Sequence, residues 1–199
     1  MRAAVVVATL LAVACGPDEP PATGSSAAVE LIADTGGVLA ETAPEDALLS
    51  PDGWGPLRIG MSREEIVAAL GDDANPGAVG GPDPEACDQF APTGAPAGML
   101  LMVENDTLTR ITLMRGSHVR TERGFALGDS AAIVMDGYGR LAVRTPHMYR
   151  EEDGAYITVW TSPPGGAAPA RGIVYEVYDD TVAYIHAGGE SIRYVEGCL

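Results

Sequence analysis

The sequence predicts an α+β fold of two tandem units, each a short helical segment packed on an antiparallel sheet, behind a signal peptide and a disordered tether. Three observations predict it. An apolar run ends at Cys15 and is followed by a Pro/Ala/Gly/Ser-rich stretch to Ser50. Two helix starts with matching glycines lie sixty-eight residues apart. Alternating apolar segments, each broken by an acidic turn, follow both helices. The expected divisions are 1–14 as signal peptide, 15–50 as anchor and tether, 51–116 as the first unit and 117–199 as the second.

Met1-Arg2 is a short charged start, and Ala3 to Ala14 is apolar or small. Twelve such residues are too few to cross a ~30 Å hydrocarbon layer as a helix, but they suit a signal h-region. Leu11-Ala12-Val13-Ala14-Cys15-Gly16 resembles a bacterial lipobox, in which the Cys becomes lipidated and N-terminal; it departs from the common form in carrying Ala12 where Leu is usual. The resemblance implies acylation of Cys15, and stable anchoring takes two or more chains at about 0.8 kcal/mol per buried CH₂. The alternative is an ordinary secretory signal with an incidental Cys. In enteric lipoproteins Asp directly after the Cys is an inner-membrane retention signal. Gly16 stands there, which favours the outer membrane in a Gram-negative host.

The 199 residues carry a formal net charge of −16, and all twelve basic residues are Arg. Such a chain, without a basic cluster, is expected to bind neither nucleic acid nor anionic lipid by charge. From Gly16 to Ser50 there are seven acidic residues and no basic one. That segment cannot bury enough apolar surface to offset its ordering entropy. As a coil it would span roughly 30–35 Å. The charge therefore divides: seven negative charges belong to the tether, and 21 acidic residues against 11 Arg leave −10 for the folded part.

Each unit opens alike. Leu57-Arg58-Ile59-Gly60-Met61-Ser62 leads into Arg63 through Gly71, and Phe125-Ala126-Leu127-Gly128-Asp129-Ser130 leads into Ala131 through Gly139. Ser62 and Glu65 form a capping box, Met61 and Ile66 a hydrophobic staple, and Gly71 a C-terminal stop. In the second unit Ile133 replaces Glu65, so only the Ser130 or Asp129 cap remains. Downstream, Val103–Ile111 matches Val177–Ile185 at an offset of seventy-four. The expected strands are Met99–Val103 and Thr107–Met114, then Leu141–Thr145, Tyr156–Thr161, Ile173–Tyr178, Thr181–Ala187 and Ser191–Val195. Asn105-Asp106 and Asp179-Asp180 are expected to be hairpin turns.

Gly60-Met61-Ser62 followed by Glu65-Ile66 and Leu70-Gly71 resembles the opening of the unit found in SmpA/OmlA (BamE) outer-membrane lipoproteins and the β-lactamase-inhibitor-protein superfamily. The match covers about fifteen residues, all capping or core positions. It implies helical segments on antiparallel sheet, in tandem as in the inhibitor. It carries over no inhibitor contact and no partner-binding residue, because nothing beyond the helix entry aligns.

Besides Cys15 the chain holds Cys87 and Cys198. In an exported protein they are expected to pair, and closing a loop of about 110 residues is worth ~4–5 kcal/mol at most. Two free thiols are the alternative. His118, His147 and His186 form no H-x-x-x-H pattern, and there is no C-x-x-C, nucleophile elbow or phosphate loop. His186 follows Ile185 in an expected strand and is assigned to a sheet face. Acidic pairs such as Asp72-Asp73 and Asp179-Asp180 suit turns better than a calcium site. No metal or cofactor is therefore expected. Tyr156, Trp160, Tyr175 and Tyr184 all lie in second-unit strands; core packing accounts for such residues, and a concave aromatic face holding a protein loop is the functional alternative.

These features lead to the expectation of a non-enzymatic lipoprotein of the cell envelope. It would be anchored through its lipid and carry a binding or scaffolding domain, with an envelope protein as the possible partner. Inhibition of an exported hydrolase is the second expectation, and a hydrolase with an unrecognised site the third.

Overall fold

Hairpin chemistry organises the molecule. The computed structural model describes residues 46–199 except Val79. The signal peptide, Cys15 and the tether up to residue 45 lie outside the described residues. No described helix is long and apolar enough to cross a membrane.

Strands β1 (Gly53–Trp54) and β2 (Leu57–Arg58) form a small antiparallel ribbon before helix α1 (Arg63–Leu70). Strands β3 (Cys87–Phe90), β4 (Met99–Glu104) and β5 (Thr107–Leu113) follow. Helix α2 (Ala131–Tyr138) precedes β6 (Ala142–Pro146), β7 (Gly154–Ser162), β8 (Arg171–Tyr178) and β9 (Thr181–Gly188). The last seven strands make one antiparallel sheet in the order β3-β4-β5-β9-β8-β7-β6.

The helix starts follow the sequence reading. The Ser62 hydroxyl accepts from the Glu65 N–H at 3.2 Å, and Glu65 accepts from the Ser62 N–H at 2.8 Å. Ser130 caps α2 through the Ile133 N–H alone, at 3.3 Å. Both hairpins turn on two residues with positive φ: Asn105 and Asp106 at 47° and 61°, Asp179 and Asp180 at 48° and 58°. Asn and Asp tolerate that region better than other side-chain-bearing residues, and the primed turn matches strand twist.

Several hydrogen bonds recur at matching positions of the two halves. Gly60 N–H donates to Leu108 O at 2.8 Å and Gly128 N–H to Val182 O at 2.9 Å. Leu108 N–H donates to Met61 O, and Val182 N–H to Asp129 O. The β4–β5 and β8–β9 hairpins each carry a register shift, at Met102/Val103 and Glu176/Val177.

The α+β expectation is nevertheless overturned. The molecule is mostly β, with two α-helices of only eight residues each. The hairpins are not centred on separate helix-on-sheet units. They join edge to edge through β5 and β9, with Ile111 opposite Ala187 and Leu113 opposite Ile185. Fusing the sheets covers two edges that separate units would leave open. One sheet face, with Leu101, Ile111, Ile157, Tyr175 and Ile185, packs against Ile66 and Leu70 of α1, Val134 of α2, and Leu49, Trp54 and Leu57. Fully burying each such aliphatic side chain is worth about 1.5–3 kcal/mol.

Two boundaries also shift. The tether expected to run to Ser50 ends earlier, because Leu49 is fully buried and its N–H donates to Arg120 O at 2.8 Å. The strand expected at Ser191–Val195 is a 3-10 turn, Glu190–Arg193, followed by irregular chain. Strand β9 is already paired on both sides, by β5 and β8, so no edge is free to receive it.

Candidate functional site

The second face of the sheet carries the chemistry. Strand alternation puts Arg110 and Thr112 of β5, His186 of β9, Val174 and Glu176 of β8, and Tyr156, Thr158 and Trp160 of β7 on this side, in register across the strands. The C-terminal segment 189–199 crosses that face as a strap.

Two devices hold the strap. Cys198 is bonded to Cys87 of β3, as expected from the sequence. Arg110, almost wholly buried, donates to Ser191 O at 3.1 Å, to Tyr194 O at 2.9 Å and to Gln89 Oε1 at 2.9 Å. Burial lowers its pKa to about 10, against the opposing pull of Glu104 and Glu176, so it stays charged at neutral pH.

Between strap and sheet lies a cleft of about 320 Å³. Trp160, Val174, Ile192 and Val195 supply apolar wall, with Tyr156 and Tyr194 beside them and Val143 of edge strand β6 at the rim. Glu176, His186, Thr145, Thr158 and Arg193 contribute its polar groups. Gly172 is required here: a Cβ would lie 2.7 Å from the Trp160 ring and 2.7 Å from Val159 O, so any side chain would displace the indole or the strand.

Glu176 is the centre of a hydrogen-bond network. Its Oε1 accepts from His147 Nε2 at 3.0 Å and from the Tyr178 hydroxyl, and its Oε2 accepts from His186 Nε2 at 3.2 Å. Burial alone would raise the Glu176 pKa, but the bonds from His186, Tyr178 and His147 outweigh it and hold the carboxylate at about 2. The imidazoles are themselves fixed. Tyr149 N–H donates to His147 Nδ1 at 3.0 Å, so that nitrogen carries no proton and Nε2 is the donor. Burial pushes the His186 pKa down despite Glu176, leaving it neutral, with Nδ1 accepting from Thr112 Oγ1 at 3.0 Å. Tyr156 stacks on His147, ring centroids 4.6 Å apart, and its buried hydroxyl has no hydrogen-bond partner.

The arrangement offers little for proton transfer. Both nitrogens of each imidazole are occupied inside the network, and a carboxylate at about 2 is a weak base at neutral pH. Among the described residues no group of three or more His, Cys, Asp or Glu is placed to hold a metal ion; both His Nε2 atoms are spent on Glu176.

The aromatic candidates divide between the two faces. Tyr156 and Trp160 line the cleft together. Tyr184 lies on the same face, stacked parallel to His186 at 6.2 Å, but outside the cleft wall. Tyr175 faces the opposite way, is fully buried in the core, and bonds the Tyr138 hydroxyl at 2.9 Å. The sequence reading did not single out Glu176, His147 or Arg110. A signal for two of them was present: Glu176 and Arg110 are each the lone charge in an apolar strand, Ile173–Val177 and Leu108–Leu113. His147 follows Pro146 in a loop and had none.

No protein-family model matches the chain, and no curated protein or solved structure matches it.

Proposed function

We propose that this is a lipid-anchored protein of the cell envelope whose folded domain is a binding module, holding a small, largely apolar ligand without transforming it. The cleft beneath the C-terminal strap carries this reading: it is mainly apolar, of ligand-binding size, and has a few fixed polar groups, Glu176 and His186 foremost. The occupied imidazole nitrogens speak against acid–base chemistry, and among the described residues Thr145 and Thr158 are the hydroxyl side chains there besides the tyrosines. The lipobox-like Leu11–Cys15 and the acidic stretch after it support anchoring at the end of a spacer, in the outer membrane of a Gram-negative host.

Two measurements test the two halves of the reading. Cys15→Ser should abolish acylation and release the protein from the membrane fraction; continued acylation would overturn the anchor. The mature chain should bind 1-nonanol saturably, and Thr158→Phe, which fills the cleft from its floor, should abolish that binding. Unchanged affinity in Thr158→Phe would place the ligand elsewhere.

A second reading, in which an envelope protein is the partner, is favoured by a different surface. Leu141, Val143, Met148 and Tyr149 are exposed along and just beyond β6, whose outer edge has no partner strand among the described residues. An open edge offers backbone donors and acceptors to another chain, although Arg144 and Pro146 of β6 limit pairing along it. The strap already covers the aromatic face that an inhibitor would need open.

A further inference from the structure

We infer that the ligand of the cleft is an organic cation, with an ammonium or amidinium head on Glu176 Oε2 and an apolar body of about ten non-hydrogen atoms. This rests on the reading of the cleft as a ligand site and names the ligand's chemistry.

Charge accounting comes first. The Glu176 side chain is only 14% exposed, and its partners within the network are neutral. His147 holds a single proton because Tyr149 N–H occupies its Nδ1, and Tyr178 donates a hydroxyl. His186 is kept neutral by burial. Among the described residues no guanidinium ion-pairs with Glu176. Arg110 feels the Glu176 charge but does not bond it, and directs its donors to Ser191 O, Tyr194 O and Gln89 Oε1. Carboxylates this buried are normally matched by a positive charge. The cleft therefore holds a carboxylate with no cation bonded directly to it among the described residues.

Geometry then says where a cation would sit. Oε1 already accepts two hydrogen bonds and Oε2 only one, leaving Oε2 an open acceptor position on a group that lines the cleft. Aromatic faces attract cations, Trp most strongly. The Arg193 guanidinium does this already at the rim, 6.0 Å from the Trp160 ring centroid while paired with Glu190. The folded part, at −10, weakly favours cations over anions near its surface. A volume of about 320 Å³ equals that of roughly ten water molecules, which sets the size of the body.

The test uses the chain from Gly16 onward, which retains every core residue from Leu49 to Ile192 and the disulfide. Isothermal titration calorimetry with nonylammonium, 1-nonanol and nonanoate should rank them in that order, the ammonium ahead of the alcohol by about tenfold or more, as expected of a hydrogen bond to a charged group. Glu176→Gln should retain alcohol binding and bring the two to within about threefold, the size of a neutral contact. Because that variant puts an amide donor where one carboxylate oxygen accepted, and so strains the network, the ranking on the unaltered chain decides by itself. Equal binding of alcohol and ammonium, or preference for nonanoate, overturns the cation while leaving the cleft as a ligand site. Binding of none of the three overturns both.

Discussion

Thr112 and His186 face each other across the β5–β9 seam, Thr112 Oγ1 to His186 Nδ1 at 3.0 Å, and they are the pair about which the two hairpins are related. Their positions differ by seventy-four, the offset of the downstream sequence match. The flanking pairs Ile111–Ala187 and Leu113–Ile185 exchange under that offset, so the seam has approximate two-fold symmetry in its backbone pairing. Its side chains break the symmetry: one half places a hydroxyl on the axis and the other an imidazole, which reaches Glu176.

Removing that hydroxyl should unsettle the imidazole. Thr112→Val keeps a β-branched residue in the strand but leaves His186 Nδ1 without a donor. A loss of about 1–2 kcal/mol is expected in denaturant unfolding. No loss would mean that Thr112 does not hold the ring.

Stability should fall with acid in two stages. Both His186 and Glu176 have folded pKa values below their usual ones, so the unfolded chain binds more protons and stability rises with pH. The His186 contribution is present above about pH 6.5 and is lost below it. The Glu176 contribution is present above about pH 4.5 and is lost towards pH 2. A shift of that size corresponds to roughly 3 kcal/mol. Denaturation of the unaltered chain and of Glu176→Gln at pH 7 and pH 3 should show the gap between them narrowing at the lower pH. Parallel profiles would refute the assignment.

The strap should depend on both of its fastenings. Arg110→Met strands the carbonyls of Ser191 and Tyr194 and should cost about 2–4 kcal/mol. Cys198→Ser opens a loop of 111 residues and should cost about 2–4 kcal/mol. In either variant amide exchange should rise first in residues 190–199; unchanged protection there would show that neither holds the strap.

Tyr175 should behave as a core residue and not as a ligand contact. Tyr175→Phe loses the bonds to Tyr138 and Thr121 and should cost about 1 kcal/mol, with affinity for nonylammonium unaltered. A changed affinity would connect the two faces of the sheet.

Much of the local structure was legible in the sequence, because it depends on neighbours along the chain. The Ser62–Glu65 box, the Gly71 and Gly139 stops and the two acidic turns were all evident from residues a few positions apart. The assembly was not, since nothing local says that β5 and β9 would pair and fuse two hairpins into one sheet. The site was half legible. Residue type and an expected strand marked Tyr156 and Trp160, whereas their meeting with Glu176, His147 and the strap depends on contacts between distant segments, His147 to Glu176 among them. Tyr175 shows the limit: residue type marked it as a candidate, and one step of strand parity turned it into the core.

The indole N–H resonances test the central claim most directly, because the chain has two tryptophans on opposite faces of the sheet. Trp160 lines the cleft, while Trp54 is buried in the core with its Nε1 donating to Ala47 O at 2.9 Å. During titration with nonylammonium the Trp160 signal should shift saturably while the Trp54 signal stays in place. Movement of neither, or of both alike, would contradict a ligand site beneath the strap.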